Sequence, residues 1–393
     1  MCIFVDLLNV MKVLFVCNNA YNLGNGQSVA VKGMISKLRE RGVDARLMAI
    51  GNPDPNGPQP DFPLEHWKFP IFEPIVYANG FAYAKIDRER IRKAVEWADI
   101  VHLQEGLPLQ GAVLNMAVKM GKPLTATYHI FAQNLMANLG FSKKSFMNWP
   151  IMYMWRRFVF DPCADIHCPS PAVRDQLLKE GYKSRLHVIS NGIDIPEEPV
   201  KAATVSPEGT VNILCVGRLS KEKSQNTLLQ AMRFSRYADR IQLLFAGRGP
   251  KAKRYQKMAE RLYKEGILKH PASFGFYTHD ELRDLARKSY LYVHCAWVEV
   301  EGLSCLEAVR EGTVPVIAEG EMIGTSVFAL CPESRYPVYD SKALAERIDW
   351  WIEHPEKRNE MAQCYADSAR NYDINKSADA LVAMFQQTLG QKA

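Results

Sequence analysis

Strand-like and helix-like segments alternate along this chain in two successive runs, and that pattern limits its fold more than any other feature. Apolar runs at 12–17, 45–50, 100–103, 124–128, 165–168 and 187–189 are interleaved with helical spacing over 27–41, 87–97, 109–120 and 172–181. Strands so interleaved pair in parallel, with helices on both faces of the sheet. Residues 196–209 (PEEPVKAATVSPEG) break the pattern with proline, glutamate and small residues and read as a linker. The alternation then restarts, with strands at 211–216, 241–246, 273–276, 290–296 and 314–318, and from 341 the pattern is helical. The chain's 393 residues exceed one ordinary core. We therefore expect a Rossmann-like α/β unit over 11–195, a linker over 196–210, a second such unit over 211–365, and a helical segment over 366–393 packing back on the first unit. Two α/β units in series predict a ligand between them, at the carboxyl ends of both sheets.

Charge and cysteine content narrow the class. A net charge of +6 suits an anionic substrate or a membrane surface and does not argue for nucleic acid. Nine cysteines, several inside apolar runs (Cys17, Cys215, Cys295, Cys305), read as reduced thiols of a cytoplasmic protein. Cys163, His167 and Cys168 stand close together, but with no second ligand pair nearby they read as a buried strand rather than zinc ligands. The opening MCIFVDLLNV lacks a basic n-region and a small-residue cleavage site, whereas Met11 begins a natural first strand; residues 1–10 read as an upstream extension. Residues 143–160 (KKSFMNWPIMYMWRRFVF) mix basic and aromatic side chains. They suit an anionic membrane surface or a core helix whose cations snorkel, and the core helix is the plainer expectation.

Chemistry concentrates in the second unit. Glu299 and Glu307 lie eight residues apart, and Gly302 between them argues against one continuous helix. Glu299 is expected in a loop at a strand end and Glu307 in a helix starting near Leu303. The amides of Gly302 and Leu303 then form an anion site with no side chain at Gly302 to block approach. Two carboxylates beside it suit sugar hydroxyls, so the stretch reads as a site for a phosphorylated sugar. Arg218 and Lys223 follow the strand at 211–216, where a guanidinium fork and an ammonium suit a diphosphate. Gly247, Gly249 and Gly275, with Phe276, mark further strand ends where a base or phosphate can approach the backbone.

In order, G-R-L-x-x-x-K, F-A-G-x-G-P, F-G-F, and E-x7-E followed by A and G-x-x-P-V resemble the retaining glycosyltransferases of family 4, which have the two-domain GT-B fold. Gly24-Asn25-Gly26 is similar to that family's glycine loop, His129 to its active-site histidine, and Ser190-Asn191-Gly192-Ile193-Asp194 to its N-G-V-D segment. The resemblance implies that Arg218 and Lys223 hold the donor diphosphate, Glu299 the donor sugar and Glu307 the ribose. It places Gly275 and Phe276 at the base, Gly302 and Leu303 at phosphate, and His129 at the transferred sugar; Gly24, Gly26, Asn191, Gly247 and Gly249 complete the donor set. It further implies retention of configuration, a nucleotide-sugar co-substrate, and a glycan, lipid-linked or small-molecule acceptor in polysaccharide or glycoconjugate synthesis. No separate cofactor is expected, and no metal, since D-x-D is missing and the two cations supply its charge. Three positions depart from the pattern: Glu301 stands for a usual Phe, Arg248 for a common Asp, and E-G-E-M-I-G-T-S for a glycine-rich loop. Other classes remain open at this point. A nicotinamide oxidoreductase is suggested by Gly24-x-Gly26, but Val29 replaces the third glycine. A GT-B-like epimerase or an inactive glycan-binding relative fits the same residues.

Overall fold

The apolar runs at 12–17 and 211–216 become the central strands of two separate parallel sheets. The computed structural model describes residues 10–21, 26–68, 82–138, 148–204 and 208–390. In the first sheet the strands are β1 (Lys12–Val16), β2 (Asp44–Ile50), β3 (Phe62–Leu64), β6 (Ile100–Leu103), β7 (Leu124–Thr127), β8 (Asp165–Cys168) and β9 (Arg185–Val188). Their order is β3-β2-β1-β6-β7-β8-β9, and two short strands, β4 (His66–Trp67) and β5 (Tyr83–Ala84), form an antiparallel ribbon beside them. The second sheet has β10 (Val211–Val216), β11 (Ile241–Ala246), β12 (Ser273–Gly275), β13 (Leu291–His294), β14 (Val314–Glu319) and β15 (Arg335–Pro337), in the order β12-β11-β10-β13-β14-β15. Each sheet grows outward from its first strand and then jumps back across it, so order reverses between β1 and β6 and again between β10 and β13. Ligand crevices open at such switch points, outside the carboxyl ends of the strands.

Val13 lies opposite both Ala45 and Ile100, and Ile213 opposite both Leu243 and Leu291. These strands read as unbroken apolar runs because both faces are covered. The edge strands β3 and β15 were not expected. Each is three residues long and carries a proline, which suits an edge, although Pro315 also sits near the start of the interior strand β14. The last helix, Ile374–Gly390, lies on the first sheet: Ile374, Leu381 and Phe385 join Phe15, Val31 and Leu38 in one core. Arg41 pairs with Asp379 at 2.5 Å, and Thr388 Oγ1 donates to buried Asp165 at 2.6 Å. The linker is fastened to the second domain, where Gln363 donates to the Val200 carbonyl and accepts from Ala202 N, each at 3.2 Å.

Inside the first sheet runs a chain of neutral histidines. His167 Nε2 donates to the Ile189 carbonyl at 2.5 Å, so its Nδ1 accepts from Thr127 Oγ1 at 3.0 Å. Thr127 in turn accepts from His102 Nε2 at 2.8 Å, and Thr125 donates to His102 Nδ1 at 2.8 Å. Burial holds His102 well below the usual imidazole range and His167 at about 4. Burial and the neighbouring His167 put His129 at about 3. A folded histidine pKa below the unfolded value of about 6.5 means the unfolded chain binds more protons, so stability falls as pH drops below that value. His167 alone contributes a loss of roughly 3 kcal/mol by the time its own pKa is reached. Glu301, raised to about 7 by burial, works in the opposite direction between its folded and unfolded values. Four histidines lowered by burial (His102, His129, His167 and His294) stand against three carboxyls raised by it (Glu180, Glu301 and Glu307), so the urea midpoint should fall modestly between pH 6.5 and 5, and a rising midpoint would contradict the assignment.

Candidate active site

The turn after β10 is built around two ion pairs. Arg218 reaches back to Glu222 at 3.2 Å; the Glu222 side chain is fully buried, with no hydrogen bond to either oxygen among the described residues. Lys223 pairs with Glu299 at the end of the loop that follows β13, the neighbouring strand. Glu299 also accepts from His294 Nε2 at 3.3 Å. Burial alone would raise the Glu299 carboxyl, but Lys223 and His294 outweigh it and hold the group at about 2. Both cations predicted for a diphosphate therefore stand at the switch point, each held by a carboxylate. The Glu299-Val300-Glu301 run does not form a chelating pair, because Glu301 binds different partners on the other domain.

Gly302 starts the helix Leu303–Arg310 in the left-handed region at φ 92°. A Cβ there would lie 2.4 Å from Thr325 Oγ1, so both backbone and packing require glycine. Glu299 N donates to the Met322 carbonyl at 2.8 Å and Gly324 N to the Glu299 carbonyl at 2.7 Å, which clips the Glu299 loop to the segment after β14. In the first turn Cys305 N already donates to the Gly302 carbonyl at 2.9 Å, which leaves the amides of Leu303 and Ser304 as those without an intrahelical acceptor. Glu307 stands half-buried in the same helix, its carboxyl raised by burial with His279 Nδ1 opposing at 4.0 Å. If Glu307 holds a ribose, Glu307→Ala weakens nucleotide binding by roughly 1.5–3 kcal/mol without loss of fold. Calorimetry with a nucleoside diphosphate checks it, and unchanged affinity rules the role out.

The strand-end glycines serve partly another purpose than expected. A Cβ on Gly247 would meet the Gly217 carbonyl oxygen at 2.1 Å, and one on Gly249 the Leu219 oxygen at 2.4 Å. They let the loop after β11 lie directly on the Arg218 loop, and so help fix Arg218. A Cβ on Gly275 would strike the Tyr277 ring at 2.5 Å. Arg248 lies over the half-exposed Phe276 ring at 4.2 Å, giving the predicted base site a cation on an aromatic face.

From the first domain, His129 follows β7 and bonds Gln104 Oε1 through Nε2 at 2.7 Å. Beside it the buried Glu105 accepts from Asn18 Nδ2 at 2.6 Å, Gln27 Nε2 at 2.8 Å and Gln110 Nε2 at 3.0 Å. Gly24 lies outside the described residues, and Gly26 opens the helix Gly26–Glu40 with free space around its Cα. Asn191 is not open to a donor as expected: its amide nitrogen and Nδ2 donate to Glu301, Nδ2 at 2.6 Å, and Ser190 also bonds that carboxylate. Ser170 Oγ donates to the Val300 carbonyl at 2.6 Å close by. Residues 299–301 thus belong to both domains, with Glu299 turned toward Lys223 and Glu301 toward the hinge.

Sequence reasoning missed Glu222, His294, Thr325, Gln104 and His279. Among these only Glu222 carried a signal, as an acid between two lysines four residues after the predicted arginine.

Two switch points facing each other across a cleft, one lined by cations beside a helix N-terminus, define a two-domain α/β enzyme of the GT-B fold. The model of glycosyltransferase family 4 matches residues 24–197, and that of glycosyl transferases group 1 matches 197–365. The chain belongs to this family and is a glycosyltransferase. The catalytic domain of cholesterol-α-glucosyltransferase from Helicobacter pylori is 40% identical over 41% of this chain and 98% of that one, with a TM-score of 0.39. HepE of Anabaena, solved with UDP and glucose, is 16% identical over 96% of this chain and 100% of its own, at a TM-score of 0.71. Sucrose-phosphate synthase from Thermosynechococcus elongatus is 16% identical over 97% of this chain and 100% of its own, at 0.68. No curated protein matched the chain.

Proposed function

We propose that the protein moves a sugar from a nucleoside-diphosphate sugar to a hydroxyl of a glycan, lipid-linked or small-molecule acceptor, with retention at the anomeric carbon. The observation that carries this reading is the Lys223–Glu299 pair at the second switch point, beside Arg218 and the helix that starts after Gly302. A diphosphate bound there takes over Lys223 and Arg218, while Glu299 turns to the donor sugar hydroxyls. When the bond between the anomeric carbon and the phosphate oxygen breaks, its electron pair leaves with the diphosphate. The two cations and the helix amides stabilise that growing charge and need no metal to do so. The acceptor oxygen bonds the same carbon from the same face, and its proton passes to a diphosphate oxygen. His129, neutral and oriented by Gln104, presents a ring nitrogen as a hydrogen-bonding group toward the transferred sugar.

Glu307 takes the ribose, and Gly275 and Phe276 border the base. Because HepE was solved with UDP-glucose, that donor is the first to try. The test follows release of free nucleoside diphosphate with and without a hydroxyl acceptor. Acceptor-dependent release supports transfer. Release without acceptor points to an epimerase-like reaction, and binding without turnover to an inactive glycan-binding relative.

A further inference from the structure

We infer that the carboxyl end of the first sheet, around Glu105, receives an uncharged, hydroxyl-bearing acceptor and turns away a phosphorylated one. This rests on the transferase reading and adds to it the chemical class of the acceptor. Glu105 stands two residues past β6, where strand order reverses between β1 and β6, and is 8% exposed. Asn18 N at 3.1 Å, Asn18 Nδ2 at 2.6 Å and Gln110 Nε2 at 3.0 Å donate to its Oε2. Gln27 Nε2 at 2.8 Å and the weakly donating Cys17 thiol at 3.8 Å reach Oε1. Every partner gives a hydrogen, so both oxygens are acceptors and the group is a carboxylate. All of these donors are neutral, and no ion pair offsets the charge among the described residues.

Packing alone does not require that charge. The amides already close the sheet end, since Asn18 Nδ2 also donates to Gln110 Oε1 at 3.2 Å and Asn18 Oδ1 accepts from the Ala84 amide of β5 at 3.0 Å. One network thus gathers the end of β1, the starts of the helices Gly26–Glu40 and Pro108–Lys119, and the β4–β5 ribbon. A buried anion without a cation carries a desolvation cost that such a network only partly returns. Its field reaches the groups around it: burial and the Glu105 charge together push the Cys17 thiol well up and raise the Tyr83 phenol. Oε2 takes three hydrogens, whereas Oε1, with one amide and a thiol, keeps room for another.

A second observation points to a ligand oxygen. Gln104 is 1% exposed; its Oε1 accepts from His129 Nε2, and its Nε2 has no hydrogen-bond partner among the described residues. A buried amide with an unmade donor is uncommon and calls for an acceptor atom. Hydroxyls meet both demands, because a hydroxyl can donate, as Glu105 needs, and can accept, as Gln104 needs. A phosphate meets only the second, and sets its negative charge against Glu105. The two switch points therefore differ in sign. Arg218 and Lys223 suit the diphosphate at the second, and a carboxylate suits the acceptor hydroxyl at the first. His129, bonded to Gln104, ties this end to the transferred sugar.

Saturation-transfer NMR on the protein loaded with UDP tests the inference with matched pairs: glycerol against glycerol 3-phosphate, and methyl glucoside against glucose 6-phosphate. The neutral member of each pair should bind, and its phosphorylated partner should bind about tenfold more weakly or not at all. Where UDP-glucose is turned over, kcat/KM for the two members should follow the same order. Glu105→Gln keeps the size, removes the charge, and should bring the two members within about threefold of each other, with UDP affinity as in wild type. A Glu105 that serves the fold alone would weaken both members alike and leave their ratio unmoved. The wild-type comparison decides by itself if the variant does not fold. Phosphorylated members bound as well as the neutral ones, or neither member bound, overturns the inference, as does an unchanged ratio in folded Glu105→Gln. Neutral members bound by a protein that takes no nucleoside diphosphate would leave this site standing and remove the transferase reading instead.

Discussion

Lys223→Ala lowers the turnover number by roughly 10²–10³-fold and raises the donor's Michaelis constant much less, the loss expected when one preorganised donor to a developing oxyanion is removed. The charge on a departing diphosphate grows toward the transition state, so a cation aimed there acts on the chemical step more than on ground-state binding. The structure adds a second reason for a large effect. Lys223 is the stronger charge among the groups that keep Glu299 ionised despite burial, and its loss leaves that carboxylate with His294 among the described residues. The Glu299 carboxyl should then rise from about 2 toward the ordinary range, and residual activity of the variant should fall at acid pH where wild type does not. Arg218→Ala should behave similarly, since buried Glu222 would lose the guanidinium it pairs with. Steady-state kinetics with varied donor, repeated in EDTA, check the assignment. If EDTA abolishes transfer while both variants run near the wild-type rate, a metal carries the charge and the assignment is wrong.

Why could Lys223 and Glu299 both be named from sequence while their contact could not? Each lies at a strand end recognisable from a continuous apolar run, and parallel strands buried on both faces are the clearest such signal. Their meeting depends on β10 lying beside β13, which is a matter of strand order over 76 residues of separation. Glu222 stands in a Lys-Glu-Lys run whose composition suits a solvated turn. It is buried because the turn tucks under the next loop, where Trp297 N donates to its carbonyl at 3.0 Å. His294 sits in an apolar strand and gave no sign that one ring nitrogen would face a carboxylate. Strands β3 and β15 are too short for any periodicity, and pairing with a formed sheet alone makes them strands. The segment 148–160 misled for a different reason, since an aromatic helix has the same composition whether its rings face a core or, as Trp149 and Phe158 do, the surface.

Glu301→Gln and Asn191→Asp should each impair the enzyme when made singly, and the double variant should recover much of the loss. Glu301 sits where the resemblance places a phenylalanine, and its carboxylate accepts from Asn191 N at 3.1 Å, from Asn191 Nδ2 at 2.6 Å and from Ser190 Oγ. All of these partners donate, and all belong to the segment that leads from the first domain into the linker. Two residues away Glu299 faces Lys223, so the short run 299–301 couples the hinge between domains to the donor site. An amide at 301 turns a donor toward donors, and an acid at 191 sets two carboxylates against each other in a buried place; either change costs on the order of 1–3 kcal/mol. In the double variant the amide and the acid exchange sides, and the hydrogen bond between them reforms in the reverse sense. The coupling should therefore amount to roughly 1–3 kcal/mol in a double-mutant cycle, seen both in urea midpoints and in turnover. Strict additivity of the two single losses would mean that Glu301 does not tie the domains together in the working enzyme. Recovery of stability without recovery of turnover would confine the contact to holding the fold, and would leave the placement of Glu299 to Lys223 and His294.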